Sequence, residues 1–249
     1  MLRNLCVMSL IAAATAVPAA SEAAVLGLMT KADVDKAVAE YLDANPQVVA
    51  QALQKYQQIQ EAEKQAAVAK AIDAVRPALE RDPTSPVIGN PDGDVTVVEF
   101  FDYQCGFCKR MFQKVLDGVN ADGNVRWVLR DLPTLGPISR TAAKASLAAQ
   151  NQGKFFEYHQ AMMTNSDRLE TDEDVLKVAK NAGLDLDRLK ADMESPEVNK
   201  ILNDNARLAQ VVQTQGVPNF VIGTYISHGA MMGNELEENI AKTRAANKK

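Results

Sequence analysis

The segment from Val95 to Cys108 constrains the fold and chemistry of this chain more than any other. It opens with a hydrophobic, β-branched run over 95–101, which is typical of a buried strand. The run leads into Cys105-Gly-Phe-Cys108 and then into 109–116, whose apolar residues have helical spacing. This order places Cys105 at a helix N-terminus, where unpaired N–H groups and the helix dipole favour a thiolate. Cys108 lies one turn further, close enough to form a disulfide with Cys105, so the pattern predicts a thiol–disulfide exchange site.

The amino terminus indicates export. Residues 1–4 carry a positive charge, and residues 5–17 are apolar but too few to span a bilayer as a mature helix. Small residues then lead to Ala23. We therefore expect a signal peptide at 1–23, cleaved after Ala19 or Ala23, with an uncleaved anchor as the alternative.

Export also decides how the cysteines are interpreted. Cys6 lies in the predicted signal peptide, so Cys105 and Cys108 remain, in an oxidising compartment. A purely structural disulfide between them would close too short a loop to stabilise the fold much. A zinc site would need two more ligands, and the two histidines, His159 and His228, lack ligand-like spacing to the pair. No cofactor and no dedicated metal site are expected.

Length and charge limit the number of domains and the class of partner. The 249 residues suffice for one sizeable domain and an appendage. The formal net charge is -5 and there is no long basic run, which argues against a nucleic-acid partner.

Residues 24–81 are predicted to form a helical extension. A capping-box sequence at 30–33 begins a short amphipathic helix that stops near Asn45-Pro46, and a second helix runs from Pro46 to about Glu80. The apolar residues of the second helix form only a thin stripe, and such a helix is marginal in isolation. We expect self-association through residues 30–75, with a solvated arm on a monomer as the alternative; the imperfect heptads do not support a long coiled coil.

Residues 82–249 are predicted to form the catalytic domain. Residues 81–94, rich in Pro, Gly, Asp and Asn, are interpreted as a boundary loop. Further strands are expected at 125–130, 218–223 and 225–228, and further helices at 140–151, 154–163, 175–182, 186–193, 196–215 and 234–244. Ser139 is expected to cap the first of these helices, and His159 to pack in the core. The resulting order is βαβ, a helical insertion, then ββα.

The strand before Cys-X-X-Cys, the helical insertion and Gly216-Val-Pro-Asn-Phe220 together resemble the thioredoxin fold, and are most similar to the DsbA-type family. The resemblance implies an α/β thioredoxin fold with a helical insertion, preceded here by the α-helical extension. It implies a cis bond between Val217 and Pro218 beside the disulfide, where an incoming peptide pairs; an ordinary turn proline is the alternative. Val217, Pro218, Gly106 and Phe107 are then expected to contact substrate.

Glu99 matches the buried acidic residue of DsbA-type enzymes. The resemblance places it beneath the Cys105–Cys108 disulfide, where it would move a proton to or from Cys108. The alternative is a strand-edge carboxylate that faces water.

The chain departs from the best-known DsbA pattern in two respects. The pair between the cysteines is Gly-Phe instead of Pro-His, so a histidine that stabilises the Cys105 thiolate is absent, and we expect a less depressed pKa and a weaker oxidant. The helical extension, the Pro-rich segment 82–91 and a Cys-Gly-aromatic-Cys site look like suppressor-of-copper-sensitivity C (ScsC) proteins. These are periplasmic, and members with a long extension form trimers that act as disulfide isomerases.

The resemblance thus favours a periplasmic disulfide isomerase or reductase of exported proteins, kept reduced by a membrane thiol reductase and assembled as a homo-oligomer, with a trimer favoured. One alternative is a monomeric dithiol oxidase recharged by a membrane oxidase. Another is a periplasmic protein that binds Cu(I) through Cys105 and Cys108, since soft thiolates select Cu(I).

Overall fold

A computed structural model describes residues 29–214, 216–227 and 229–248. The predicted signal peptide at 1–23, Cys6 and His228 lie outside the described residues. None of the helices in the described part is both long and apolar enough to cross a membrane.

Two helices open the described chain, α1 (Lys31–Ala44) and α2 (Pro46–Glu80), as the capping signals predict. The Thr30 side chain accepts a hydrogen bond from the Asp33 N–H at 3.3 Å, and the Asp33 carboxylate accepts one from the Thr30 N–H at 2.9 Å. Asn45 ends α1 because the following proline disfavours a helical conformation at this position. The chain divides into two compact units, one ending at Glu61 and the other Ala62–Lys249.

The second unit contains a five-stranded sheet in the order β1-β3-β2-β4-β5. Strands β2 and β3 are parallel, and the other pairs are antiparallel. The strands are β1 (Val87–Gly89), β2 (Val95–Phe101), β3 (Val125–Asp131), β4 (Asn219–Ile222) and β5 (Tyr225–Ile226). The remaining helices are α3 (Gly106–Asp122), α4 (Pro137–Gln150), α5 (Phe155–Thr164), α6 (Asp172–Asn181), α7 (Leu186–Met193), α8 (Pro196–Val211) and α9 (Glu235–Asn247).

Strand β1 lies within the segment that sequence analysis interpreted as a boundary loop, so that interpretation is wrong for 87–89. The strand has only three residues, and it forms because Val87 pairs with Val128 at the edge of the sheet. Gly89 ends it with φ 81, and a Cβ there would lie 2.6 Å from both the Val119 side chain and the Val125 carbonyl oxygen.

Two expected helix ends also differ. Ser139 does not cap α4: the helix begins two residues earlier at Pro137, after Gly136, and Ser139 is buried within it. Proline is well suited to this first helical position because it has no N–H to satisfy. Helix α8 ends at Val211 rather than near 215, and Gln213 beyond it has a positive φ of 57, which does not continue a right-handed helix.

Every residue of β2 is buried, because the sheet is covered on both faces. Val97 and Phe101 pack with α3, the inserted helices α4 to α7, and α9. Val98 and Phe100 face the other way and pack with α8 and the C-terminal turns of α2, where Ile72 and Leu79 are fully buried. Residues 62–80 therefore contribute to the core of the second unit, although sequence analysis assigned them to the extension.

Arg130 on β3 fixes this end of α2. It is fully buried, and its Nε donates to the Leu79 carbonyl oxygen at 3.1 Å while another guanidinium nitrogen donates to that of Ala78. Its Nη1 donates to Asn205 Oδ1 at 2.8 Å. Burial lowers the pKa of Arg130 to about 10, opposed by Asp82, so the side chain remains charged. An arginine in the sheet thus satisfies the last carbonyls of α2, which have no partner within the helix.

Candidate active site

The loop between β2 and α3 is fixed by one buried carboxylate, Asp102. Its Oδ1 accepts a hydrogen bond from the Gln104 N–H at 2.8 Å, and its Oδ2 accepts from those of Thr134 and Leu135 at 2.8 and 3.0 Å. These contacts join the loop before Cys105 to the loop after β3. Sequence analysis missed Asp102, although an aspartate before a turn that bonds to the N–H two residues on is a recognisable local pattern.

Cys105 is the residue that caps the N-terminus of α3. Its Sγ accepts the Cys108 N–H at 3.4 Å and lies 3.4 Å from the Val217 carbonyl oxygen, to which the thiol can donate. Cys108 is fully buried one turn further on. The two thiols are unbridged in this structure, so the predicted disulfide stays a prediction.

The two cysteines have opposite acidities. The pKa of Cys105 is lowered to about 6, first by a hydrogen bond from the Cys108 thiol and then by the N–H groups of Cys108 and Phe107, while burial and Asp102 oppose this effect. Burial raises the pKa of Cys108, as do its hydrogen bond to Cys105 and the nearby charge of Glu99. At neutral pH the pair therefore consists of a Cys105 thiolate and a Cys108 thiol. The less depressed pKa and the weaker oxidant expected from the missing histidine stay predictions.

Glu99 lies on β2 inside the protein, with 2% of its surface exposed, so it does not face water. Burial raises its pKa to about 8, while a hydrogen bond from Trp127 Nε1 to its Oε2 at 3.1 Å opposes the rise. The Cys105 charge raises it further, and Glu99 in turn raises the pKa of Cys108. A protonatable carboxyl thus lies within electrostatic range of both thiols. Trp127, its hydrogen-bond donor, was not predicted.

The predicted substrate-contacting residues lie on two sides of Cys105. The Val217–Pro218 peptide bond is cis, as the resemblance implies, and the Val217 carbonyl oxygen is the group that contacts Cys105 Sγ. Pro218 is buried and Val217 is half-buried, directly before β4. Gly106 and Phe107 are exposed on the other side, and 59% of the Phe107 surface is accessible.

His159 packs in the core, as predicted, but as part of a polar chain that sequence analysis missed. Its ring stacks on Phe155 at 5.3 Å between centroids, and its Nδ1 lies 2.9 Å from the Tyr103 hydroxyl. Tyr103 also bonds Ser146, which donates to Asp131 Oδ2 at 3.2 Å. Burial lowers the pKa of His159 to about 3, so the ring is neutral. This series of hydrogen-bonded side chains links β3 to the inserted helices. It fixes the position of Tyr103, two residues before Cys105.

No cluster of three or more His, Cys, Asp or Glu side chains among the described residues could hold a metal ion. What the site offers is a thiolate at a helix N-terminus, a buried thiol beside it, a buried carboxyl and the half-buried Val217, whose carbonyl oxygen contacts Cys105 Sγ. This combination can form and resolve a mixed disulfide.

Comparisons with known proteins agree with this geometry. Residues 96–243 match the DSBA-like thioredoxin domain, and residues 31–63 match the N-terminal domain of the copper resistance protein ScsC. Among curated relatives, Na(+)/H(+) antiporter NhaA 3 of Salinispora tropica is 30% identical over 145 residues, 57% of this chain and 22% of the antiporter. The chain thus spans about a fifth of the length of the curated relatives it matches first.

Two solved structures are similar over nearly their whole length. A thioredoxin-like oxidoreductase from Silicibacter pomeroyi DSS-3 is 42% identical, with 68% of this chain and 98% of that chain covered and a TM-score of 0.66. ScsC of Proteus mirabilis in a compact conformation is 28% identical, with coverages of 88% and 100% and a TM-score of 0.63. The predicted α/β thioredoxin fold with its helical insertion is confirmed, and the chain belongs to the DSBA-like thioredoxin domain family, with an N-terminal segment of the ScsC type.

Proposed function

We propose that this protein exchanges thiols and disulfides on exported proteins through Cys105 and Cys108, as a disulfide isomerase or reductase in an oligomer. The observation that carries the proposal is the pair of unbridged cysteines with opposite acidities. The pKa of Cys105 is about 6, so it is a nucleophile at neutral pH, whereas the raised pKa of Cys108 keeps it a thiol until it is needed.

The chemistry needs no external oxidant for isomerisation. The Cys105 thiolate attacks one sulfur of a wrong substrate disulfide, forms a mixed disulfide and releases the other substrate sulfur as a thiolate. That thiolate then attacks another disulfide, and a second exchange releases reduced enzyme. In a stalled adduct, Cys108 loses its proton and attacks the Cys105 sulfur, which forms the Cys105–Cys108 disulfide and frees the substrate thiol.

Glu99 is proposed to exchange the proton of Cys108 during this resolution. Its pKa of about 8 lies near neutrality, where a group can both accept and return a proton. Its charge also raises the pKa of Cys108, which supports their proximity.

Substrate is proposed to dock on the backbone of Val217 beside Cys105. The Val217 carbonyl oxygen lies 3.4 Å from Cys105 Sγ, and Val217 is two residues before the first residue of β4. An extended peptide can pair with such an edge through its main chain, which accepts many sequences. Gly106 and Phe107 would line the other side of the peptide.

The proposed location is the periplasm, after removal of residues 1–23, with a membrane thiol reductase that returns the Cys105–Cys108 disulfide to the dithiol. The match of 31–63 to an ScsC N-terminal domain supports this placement.

The proposed assembly is a homo-oligomer, with a trimer favoured. In the first unit, α1 and the beginning of α2 expose large apolar side chains: Val38 51%, Tyr41 57%, Leu53 55% and Tyr56 59%. Helices with so little buried surface gain most of their stability from packing against another surface. Copies of the same unit would supply that surface.

Refolding of scrambled ribonuclease by purified, reduced protein tests the proposal. We expect recovery of ribonuclease activity that Cys105→Ser abolishes, and accumulation of mixed disulfides in Cys108→Ser, which cannot resolve them. Trapping by Cys105→Ser instead would reverse the two roles. Oxidation of reduced ribonuclease without recovery of the scrambled form would favour the monomeric oxidase.

Copper binding is a second candidate because the two cysteines are unbridged and lie one turn apart. They would offer two soft thiolates, which suit Cu(I). The fit is incomplete, because Cys108 is fully buried with a raised pKa and no third ligand joins it within the described residues. One-to-one copper binding by protein that neither reduces insulin nor refolds scrambled ribonuclease would favour copper binding as the function.

A further inference from the structure

A cavity of about 510 Å³ opens beside the redox motif, between the first turns of α3 and the end of α5. Its floor contains the buried side chains of Phe112 and Met163. Its rim carries Gly106, Lys109, Arg110, Asn165 and Ser166. The cavity thus begins at Gly106, one residue after Cys105, and is next to any polypeptide bonded to the Cys105 sulfur.

Arg110 places a positive charge directly beside the motif. Its guanidinium carbon lies 4.3 Å from the centre of the exposed Phe107 ring. A Cβ added to Gly106 would lie 3.3 Å from Arg110 Nη1, so the guanidinium also borders the residue next to Cys105. None of the ion pairs among the described residues involves Arg110. Its donors are therefore available to a ligand.

Lys109 adds a second charge on the same wall. Its Nζ donates to the Asn165 carbonyl oxygen at 2.9 Å, which holds the ammonium against the loop after α5. Asp167, the carboxylate whose charge acts on Lys109, offsets one of the two positive charges. The charged residues that line the cavity, Lys109 and Arg110, are both positive, in a chain whose net charge is -5.

We infer that this cavity receives an acidic side chain that neighbours the reactive cysteine of a substrate polypeptide. The inference rests on the proposed function and adds a substrate class to it. When a substrate cysteine is bonded to Cys105, the next substrate residue lies one Cα–Cα step of about 3.8 Å from that cysteine, so its side chain can approach a rim that includes Gly106. The guanidinium of Arg110 matches a carboxylate with paired N–H donors and is held flat by the Phe107 ring.

Two peptide disulfides that differ only in charge provide the probe. One carries Glu beside the cysteine and the other Gln. In the measured step, the Cys105 thiolate bonds to one peptide sulfur and the second peptide sulfur leaves as a thiolate. We expect the Glu peptide to react about 2- to 5-fold faster, as exposed charge pairs allow. The ratio should approach one near 1 M salt, where the screening length falls to about 3 Å.

Variants assign the effect to Arg110. Arg110→Gln should remove most of the Glu/Gln ratio, and Arg110→Lys should retain most of it because the charge is kept. Lys242→Gln is the matched control. It removes a positive charge near the beginning of β2, about 20 Å from the motif by the length of that strand, and should leave the ratio unchanged.

A small uncharged disulfide separates this inference from the proposed function. If it fails to react with the reduced protein, the exchange function itself is wrong. If it reacts at equal rates with wild type and Arg110→Gln, the thiolate is intact, and any lost Glu/Gln ratio belongs to the cavity. Equal rates for the Glu and Gln peptides in the wild type at low salt would overturn the inference while leaving the exchange function standing.

Discussion

At the scale of single residues, two cysteines of the same helical turn differ in acidity because hydrogen bonds stabilise the anion of Cys105 and burial destabilises that of Cys108. Cys105 Sγ accepts from the Cys108 N–H, at the helix N-terminus where an anion is stabilised. Cys108 has no exposed surface, and an ionised thiol there would lose its hydration. Burial dominates at Cys108, and hydrogen bonding dominates at Cys105.

Glu99→Gln tests the buried carboxyl. Because the folded-state pKa of Glu99 is raised from 4.5 to about 8, its contribution to stability is full below pH 4.5 and is lost as the pH rises through 8. Glutamine has no such loss. The stability of the variant relative to wild type should therefore increase by about 4–5 kcal/mol from pH 4 to pH 8, because the rise of the pKa from 4.5 to about 8 corresponds to about 1.4 kcal/mol per pKa unit.

Urea unfolding of both reduced proteins at the two pH values measures this change. Cys105 also titrates in this range and is coupled to Glu99, whose pKa its charge raises, so both proteins carry Cys105→Ser to remove this contribution. A difference in unfolding free energy that does not vary with pH would show that Glu99 is not a perturbed buried acid.

The site residues that the sequence predicts are those whose role is written locally. Cys105 and Cys108 sit in a short motif, whereas Pro218 and Glu99 were identified by the resemblance to DsbA-type enzymes. The partners of these residues were missed because they come from distant positions. Trp127 donates to Glu99 from the neighbouring parallel strand, and no sequence pattern around either residue predicts that contact.

At the scale of elements, complete capping boxes were better signals than a single capping serine, because Ser139 lies inside α4. Thr30 and Thr171 each begin a helix with a complete capping box, and both starts could be recognised from four residues. Strand β1 could not, because three residues carry no periodicity and its pairing depends on β3. The inward role of 62–80 was overlooked, although Val68, Ile72, Val75 and Leu79 have the four-three-four spacing of one helix face.

Arg130→Met tests how α2 is attached to the sheet within the second unit. The change leaves the Ala78 and Leu79 carbonyls and the Asn205 amide oxygen without this donor. We expect the free energy of unfolding to fall by about 2–4 kcal/mol, since each buried unpaired group costs about 1–3 kcal/mol.

Arg207→Met is the matched control for Arg130→Met. The Arg207 side chain is 70% exposed and pairs only with Asp204 among the described residues, so the change should cost less than about 0.5 kcal/mol. Equal losses in the two variants would contradict the anchoring role of Arg130.

At the scale of the whole molecule, the proposed oligomer depends on residues 30–61 of the extension, whereas the fold of the second unit depends on residues 62–80. Deleting residues 30–61 removes the exposed apolar side chains and leaves the second unit complete. Light scattering should then report a monomer, against a multiple of the monomer mass for the full mature chain, with the thermal midpoint of the second unit retained.

A longer deletion, 30–75, is the informative contrast. It also removes Val68, Ile72 and Val75 from the core on one face of the sheet. We expect it to destabilise the second unit by several kcal/mol, since emptying the site of one large buried aliphatic side chain costs about 2–5 kcal/mol. A monomeric full-length chain would contradict the proposed assembly, and an unaffected 30–75 deletion would contradict the packing of 62–80.

The acidity of Cys105 is the most direct test of the account. The thiolate absorbance of reduced protein, followed against pH together with the rate of attack on a small neutral disulfide, should show one group titrating near pH 6, because the Cys108 thiol and two N–H groups stabilise the Cys105 anion. Both signals should vanish in Cys105→Ser. No titration below pH 8, or a titration near pH 6 that survives in Cys105→Ser, would contradict the assignment of Cys105 as the nucleophile.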